Sequence, residues 1–207
     1  MNEEVLTPVL DWLDLAGVAI FALTGALVAA KERQTLVTLC FFALVTGVGG
    51  GTVRDLLIGA PVFWIVDPWV AAVCLFIALF AWVTPTRWWE GRILSLADGL
   101  GLAAYSVLGT AKALEYGVPP VPAFTMGVVT GCVGGIVRDI LAQRPSILMR
   151  PELYVTAAAL SASLTVLGDL AGIMRWWVWI AATTAGFSLR LLAIHWNLAL
   201  PAYRERR

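Results

Sequence analysis

"TGVGGGTVRD", residues 46–55, closes one long apolar run, and "TGCVGGIVRD", residues 130–139, closes another. Glycines in a helix interior cost about 1 kcal/mol each relative to alanine. An ionised side chain inside a spanning helix costs about 3 kcal/mol. Placing both twice in apolar surroundings calls for a reason. Laid one under the other, the two stretches are offset by 84 residues without a gap. Asp14 then meets Asp98, Gly17 meets Gly101, and Gly25 meets Gly109. Thr46, Gly50, Gly51, Arg54 and Asp55 meet Thr130, Gly134, Gly135, Arg138 and Asp139, and Pro61 meets Pro145. These are residues with positional meaning, not the Leu and Ala that any two apolar segments share.

The surroundings set the solvent. Of 207 residues, 60% are hydrophobic and 14% charged, with a mean hydropathy of +0.84. A soluble domain carries roughly a quarter charged residues, so this is an all-α integral membrane protein. Net charge is zero, which gives no field for nucleic acid. The acidic start lacks the basic region of a cleavable signal. Cys40, Cys74 and Cys132 lie in apolar runs without metal or disulfide spacing and read as packing residues.

A spanning helix needs about 20 apolar residues. Seven candidates lie at about 10–30, 35–58, 68–84, 93–115, 121–142, 152–169 and 175–197. Within a single membrane domain, 1–207, repeat one covers about 10–84 and repeat two about 93–169, while the seventh helix, about 175–197, has no counterpart. Three spans per repeat make the second copy inverted. Inverted repeats with interrupted helices are a recurring plan for moving small solutes. Nine basic residues, Lys31, Arg33, Arg87, Arg92, Arg144, Arg150, Arg204, Arg206 and Arg207, fall on the C-terminal side of the spans, against Lys112 and Arg175 on the other. The C-terminus is therefore expected in the cytoplasm and the N-terminus outside. Tryptophans at span ends, among them Trp12, Trp69, Trp82, Trp88 and Trp177, read as interfacial anchors.

The glycines are expected to break or kink the second and fifth spans. A break would expose carbonyls that coordinate a cation and amides that begin a second half-helix. Thr52 would cap that restart, with Asp55 completing the capping box. Each Arg is expected to pair with its neighbouring Asp or with the other repeat's Asp, either stapling the helices or lining and gating a solute path. The Gly47–Gly51 and Gly131–Gly135 spacings allow close helix crossing. Asp14 and Asp98 read equally as mouth carboxylates or helix-start residues. Arg190 and His195 read as snorkelling side chains. No phosphate loop, metal cluster, nucleophile–base pair or potassium-channel filter is found, so no enzyme and no cofactor is expected.

Seven spans, a three-plus-three repeat and paired "GGGTVRD" and "GGIVRD" motifs resemble the bacterial branch of the trimeric intracellular cation channel family. The resemblance implies a homotrimer in the bacterial inner membrane, with a pore in each protomer between spans two and five, kinked at Gly49, Gly50, Gly51, Gly134 and Gly135. It implies permeation by potassium and, less selectively, sodium. The motif charges are Arg54, Asp55, Arg138 and Asp139, with Thr46 and Thr130 as polar groups on the path. The Lys-Glu-Val element of the animal branch is absent, and Val133 replaces the first glycine of the second triplet, so the two kinks need not be equivalent. Proteins of similar sequence are also described as glycine transporters, which makes a secondary transporter the alternative. A scaffold without transport would leave the doubled motif unexplained.

Overall fold

A computed structural model describes residues 3–89, 93–149 and 152–201. Arg92, Arg150, Arg204, Arg206 and Arg207, which enter the charge bias, lie outside them, as do the side chains of Trp12 and Arg87.

The described chain is helical. It comprises α1 (Glu3–Lys31), α2 (Leu36–Leu57), α3 (Phe63–Val66), α4 (Pro68–Val83), α5 (Ile93–Glu115), α6 (Pro120–Leu141), α7 (Val155–Leu170) and α8 (Arg175–Trp196), with single 3₁₀ turns at Thr86–Trp89 and Ile147–Met149. Local chemistry sets the boundaries. Thr35 Oγ1 accepts from the Thr38 amide at the start of α2. Asp67 accepts from Trp69 N, with Pro68 in the first helical position of α4. Left-handed residues follow α2 (Gly59) and α6 (Gln143), 84 apart. Another such pair, Arg33 and Gly117, follows α1 and α5.

Among the described residues, five helices are long and apolar enough to cross a membrane: the stretch Asp14–Lys31 of α1, then α2, α5, α6 and α8. The helices α4 and α7 are apolar but hold 16 residues each, about 24 Å at 1.5 Å per residue against a hydrocarbon core of about 30 Å. They correspond to the short third and sixth spans expected at about 68–84 and 152–169, the latter starting later than expected. Tyr154 instead precedes the helix as its N-cap.

Helices α1, α2 and α4 pack together, as do α5, α6 and α7. The two groups meet through α2 against α6 and α1 against α5, and α8 packs chiefly on α7 and α5. The main core gathers Val18, Phe21 and Ala22 of α1 with Ala43, Val48, Cys74 and Tyr105. Contacts between the groups are reciprocal. A Cβ on Gly17 would strike the Tyr105 ring, and one on Gly101 would lie 3.2 Å from the Phe21 ring. Phe21 and Tyr105, themselves 84 apart, meet edge to face with centroids at 5.4 Å. Such antiparallel pairing brings the start of α1 to the end of α5.

Exposed large side chains, including Trp69, Phe76, Leu79, Trp82 and Val83 along α4, form the surface that apolar solvent would cover.

Candidate functional site

The expected helix break is absent. Both α2 and α6 remain α-helical through their glycines. Thr52 caps nothing: its hydroxyl donates to Val48 O at 2.7 Å, one turn back inside the same helix, and accepts from Trp64 Nε1. Three glycines lower helix propensity but leave every backbone donor its usual partner. In apolar surroundings, unwinding would strand those groups. The glycines instead admit another backbone. A Cβ on Gly50 would collide with the Thr130 carbonyl, and one on Gly134 would sit 2.6 Å from the Thr46 carbonyl. The two helices thus cross antiparallel, backbone on backbone, at repeat-equivalent residues. Gly49 is the looser member, its nearest neighbour being Gly134 Cα at 3.9 Å. Thr46 and Thr130 are buried at the crossing. The Thr130 hydroxyl donates to Met126 O at 2.6 Å, whereas Thr46 Oγ1 has no hydrogen-bond partner among the described residues.

A charged cluster lies at each end of this crossing. At the end where α2 finishes, Arg54 and Asp55 are buried and bonded side by side, Nε to Oδ1 at 2.8 Å. Lys112 Nζ reaches the same Oδ1 at 2.8 Å, and Oδ2 accepts from the Phe63 amide at 3.0 Å. A cavity of about 270 Å³ opens there between Asp14, Arg54, Phe63, Lys112 and Glu115.

At the other end Arg138 bonds Asp139 at 3.0 Å, and its Nη1 bonds Asp98 at 2.6 Å and the Thr24 hydroxyl at 3.2 Å. Asp139 Oδ2 accepts from the Ile147 amide at 3.0 Å. Phe63 and Ile147 are 84 apart, so each motif Asp fixes the loop after its helix in the same way. The cavity here is larger, about 510 Å³, with Asp98, Arg138, Asp139, Arg144, Glu152 and Arg190 among its walls.

The structure decides between readings that the sequence left open and corrects others. Each Arg pairs with its own neighbouring Asp rather than the other repeat's; ion pairs between the repeats include Lys112–Asp55, at the buried Asp55 carboxylate, and the more exposed Arg144–Glu32. Asp98 is a buried partner of Arg138, while Asp14 lines the smaller cavity without an ion pair to Arg54 among the described residues. Lys112, counted from sequence as a flanking charge, belongs to the last turn of α5. Arg190 does not snorkel: it is 3% exposed, and its Nη2 bonds Glu152 at 2.7 Å. The sequence did flag Asp98 by its match to Asp14. Lys112, Tyr154 and Phe63 align with Val28, Val70 and Ile147, so no chemical match across the repeat marked them as partners of the motifs.

A family model described as Glycine transporter matches residues 11–86 and again 95–169, with starts 84 residues apart. A membrane protein of Vibrio cholerae is 36% identical over 203 residues, covering 95% of this chain and 84% of its own. YadS, an inner membrane protein of Escherichia coli, is 34% identical, covering 93% of this chain and 95% of its own. A trimeric intracellular cation channel orthologue from Rhodobacter sphaeroides superposes with a TM-score of 0.85 at 39% identity, over 92% of this chain and 99% of that one. The chain belongs to the bacterial branch of the trimeric intracellular cation channel family. A second prokaryotic member, at 23% identity and a TM-score of 0.84, shares the fold. For this TRIC family member, the reciprocal crossing of α2 and α6 is the structural centre of the candidate site.

Proposed function

We propose that this chain is a passive monovalent-cation channel of the bacterial inner membrane, permeable to potassium and less selectively to sodium. The observation that carries the reading is the crossing of α2 and α6, flanked at both ends by carboxylate-bearing cavities, in a relative of a cation channel orthologue. On this reading the ion runs along the α2–α6 seam. It enters past Asp98 and Asp139 or Asp14 and Asp55, and passes Thr46, Thr130 and the glycines. A bend at Gly49–Gly51 and at Gly134–Gly135, without a break, would separate the helices enough to admit it. Buried Arg54 and Arg138 set the barrier, which their carboxylate partners offset. The short helices α4 and α7 also cross, giving seven spans with the C-terminus in the cytoplasm. The working unit is a homotrimer with one path per protomer and lipid around it.

The family model's description supports a second reading, a secondary transporter of glycine. A zwitterion suits cavities that hold both guanidinium and carboxylate groups, and inverted repeats suit alternating access.

Planar-bilayer recording of the purified protein across a potassium chloride gradient separates them. Unitary current steps reversing near the potassium potential establish the channel. Electrical silence with confirmed insertion, together with saturable uptake of labelled glycine into liposomes, overturns it.

A further inference from the structure

Each glycine motif ends against an aromatic ring, and each ring carries a cation from a different helix. Beside Gly51, where a Cβ would lie 2.6 Å from Phe63 Cε1, the Phe63 ring has Lys112 Nζ 6.0 Å and the Arg54 guanidinium 5.9 Å from its centroid. Beside Gly135, where a Cβ would lie 2.9 Å from Tyr154 Oη, the Tyr154 ring has the Arg190 guanidinium 5.2 Å from its centroid. Gly51 and Gly135 are repeat mates, but the rings are not: the mate of Phe63 is Ile147. Lys112 corresponds to Val28, and Arg190 belongs to α8, which has no mate. The same three-part arrangement is therefore built twice from unrelated positions, so duplication alone does not explain it.

The Tyr154–Arg190 version is costly. Among the described residues, Arg190 Nε and Nη1 are buried with no hydrogen-bond partner. The Arg190 stem reaches the ring only because Gly99 yields space, its missing Cβ falling 2.8 Å from Arg190 Cγ. A leucine would fill that space without stranding donors. The Tyr154 hydroxyl faces the Asp98 carboxylate, and the ring itself lies between the Arg190 guanidinium and the Gly135 face of α6.

We infer that Tyr154 is an aromatic stop against the glycine face of α6 at the Arg138 end, and that Arg190 is the positioning residue that holds it there. Phe63 with Lys112 takes the corresponding place at the Arg54 end. The gating consequence rests on the channel reading above; the placement of the ring does not. Leaving Gly135, the ring would uncover Cys132, which is 4% exposed and packs in the same cluster as Tyr154.

Cys132 supplies the test. In full-length protein carrying Cys40→Ala and Cys74→Ala, reconstituted in lipid, the rate of Cys132 labelling by N-ethylmaleimide reports the ring's position. Arg190→Gln and Tyr154→Leu should each raise that rate about ten-fold or more and raise open probability in bilayers. Arg190→Lys, which keeps the cation over the ring, and Tyr154→Phe, which keeps the ring, should stay near the parent. The double variant Arg190→Gln/Tyr154→Leu should match either single. Should Arg190→Gln not fold, Arg190→Met keeps the stem over Gly99 and serves the same comparison. Cys132 protection unchanged in Arg190→Gln or Arg190→Met, equal labelling of Arg190→Lys and Arg190→Gln, or multiplying effects in the double variant would overturn the assignment. Labelling needs no current, so a silent bilayer would count against the channel reading alone.

Discussion

Arg138 holds two carboxylates and a hydroxyl at once while only 6% exposed. Removing it leaves Asp98 and Asp139 buried without their counter-charge. Breaking a buried pair from one side costs roughly 3–5 kcal/mol. Arg138→Ala should therefore lower the unfolding temperature in detergent markedly and change open probability or conductance in whatever trimer survives. Arg144 bonds Glu32 with both side chains at least one-third exposed, and solvent screens that pair. Arg144→Ala should cost about 0–1 kcal/mol, within the scatter of a thermal melt. Equal losses for the two variants would show that burial does not govern these charges. The glycines divide in the same manner. Gly50→Ala drives a methyl into the Thr130 carbonyl and should destabilise by about 1–3 kcal/mol. Gly49→Ala meets ordinary contact distance and gains about 1 kcal/mol of helix propensity. The expected outcome for Gly49→Ala is unchanged or higher thermal stability with reduced channel opening, since a stiffer helix bends less. Full activity with added stability would remove Gly49 from the mechanism.

Among the elements, α2 and α6 share one ending. The amide after each helix returns to the motif Arg carbonyl, Ile58 to Arg54 and Ala142 to Arg138, each at 3.0 Å. Each motif Asp then bonds an amide eight residues on. Asp55 and Asp139 thus serve two purposes, as counter-ions and as anchors for the turn that follows. Hydrogen–deuterium exchange should separate these purposes. In Asp55→Ala, exchange should rise over residues 58–66, and in Asp139→Ala over residues 142–149, each with the opposite end of the molecule unchanged. Exchange rising evenly along the chain would mean that the carboxylates stabilise the fold as a whole rather than their own loops.

At the scale of the molecule, the repeat makes the two ends alike and a few unmatched residues make them differ. Lys112 adds a cation at the Arg54 end; Arg190, Glu152 and α8 enclose the larger cavity at the other. Native mass spectrometry from lipid nanodiscs should give a species at three times 22.3 kDa, the assembly expected of a TRIC family member. A monomer under conditions that preserve other membrane oligomers would refute the trimer. A reporter fused to the C-terminus should be active only on the cytoplasmic side, as the basic bias of nine residues against two requires.

Much of this was determined by the sequence itself. The hydropathy dictated a membrane solvent, and the 84-residue match of Gly, Asp, Arg and Pro marked two copies of one unit, because such residues tolerate few substitutes where backbone geometry or charge is at stake. The motif Arg and Asp were legible as a buried pair, since an isolated charge in hydrocarbon is too costly to keep. What the glycines do was decided by tertiary structure. Helix propensity favours a break at Gly49–Gly51, but an apolar environment penalises every unsatisfied amide more heavily, so the helix stays whole and the glycines accept the partner backbone. The roles of Lys112, Tyr154 and Arg190 were also left to the tertiary structure. Each lies far along the chain from the group it touches, on an unmatched position, and only the packing of α5, α7 and α8 brings it to a motif.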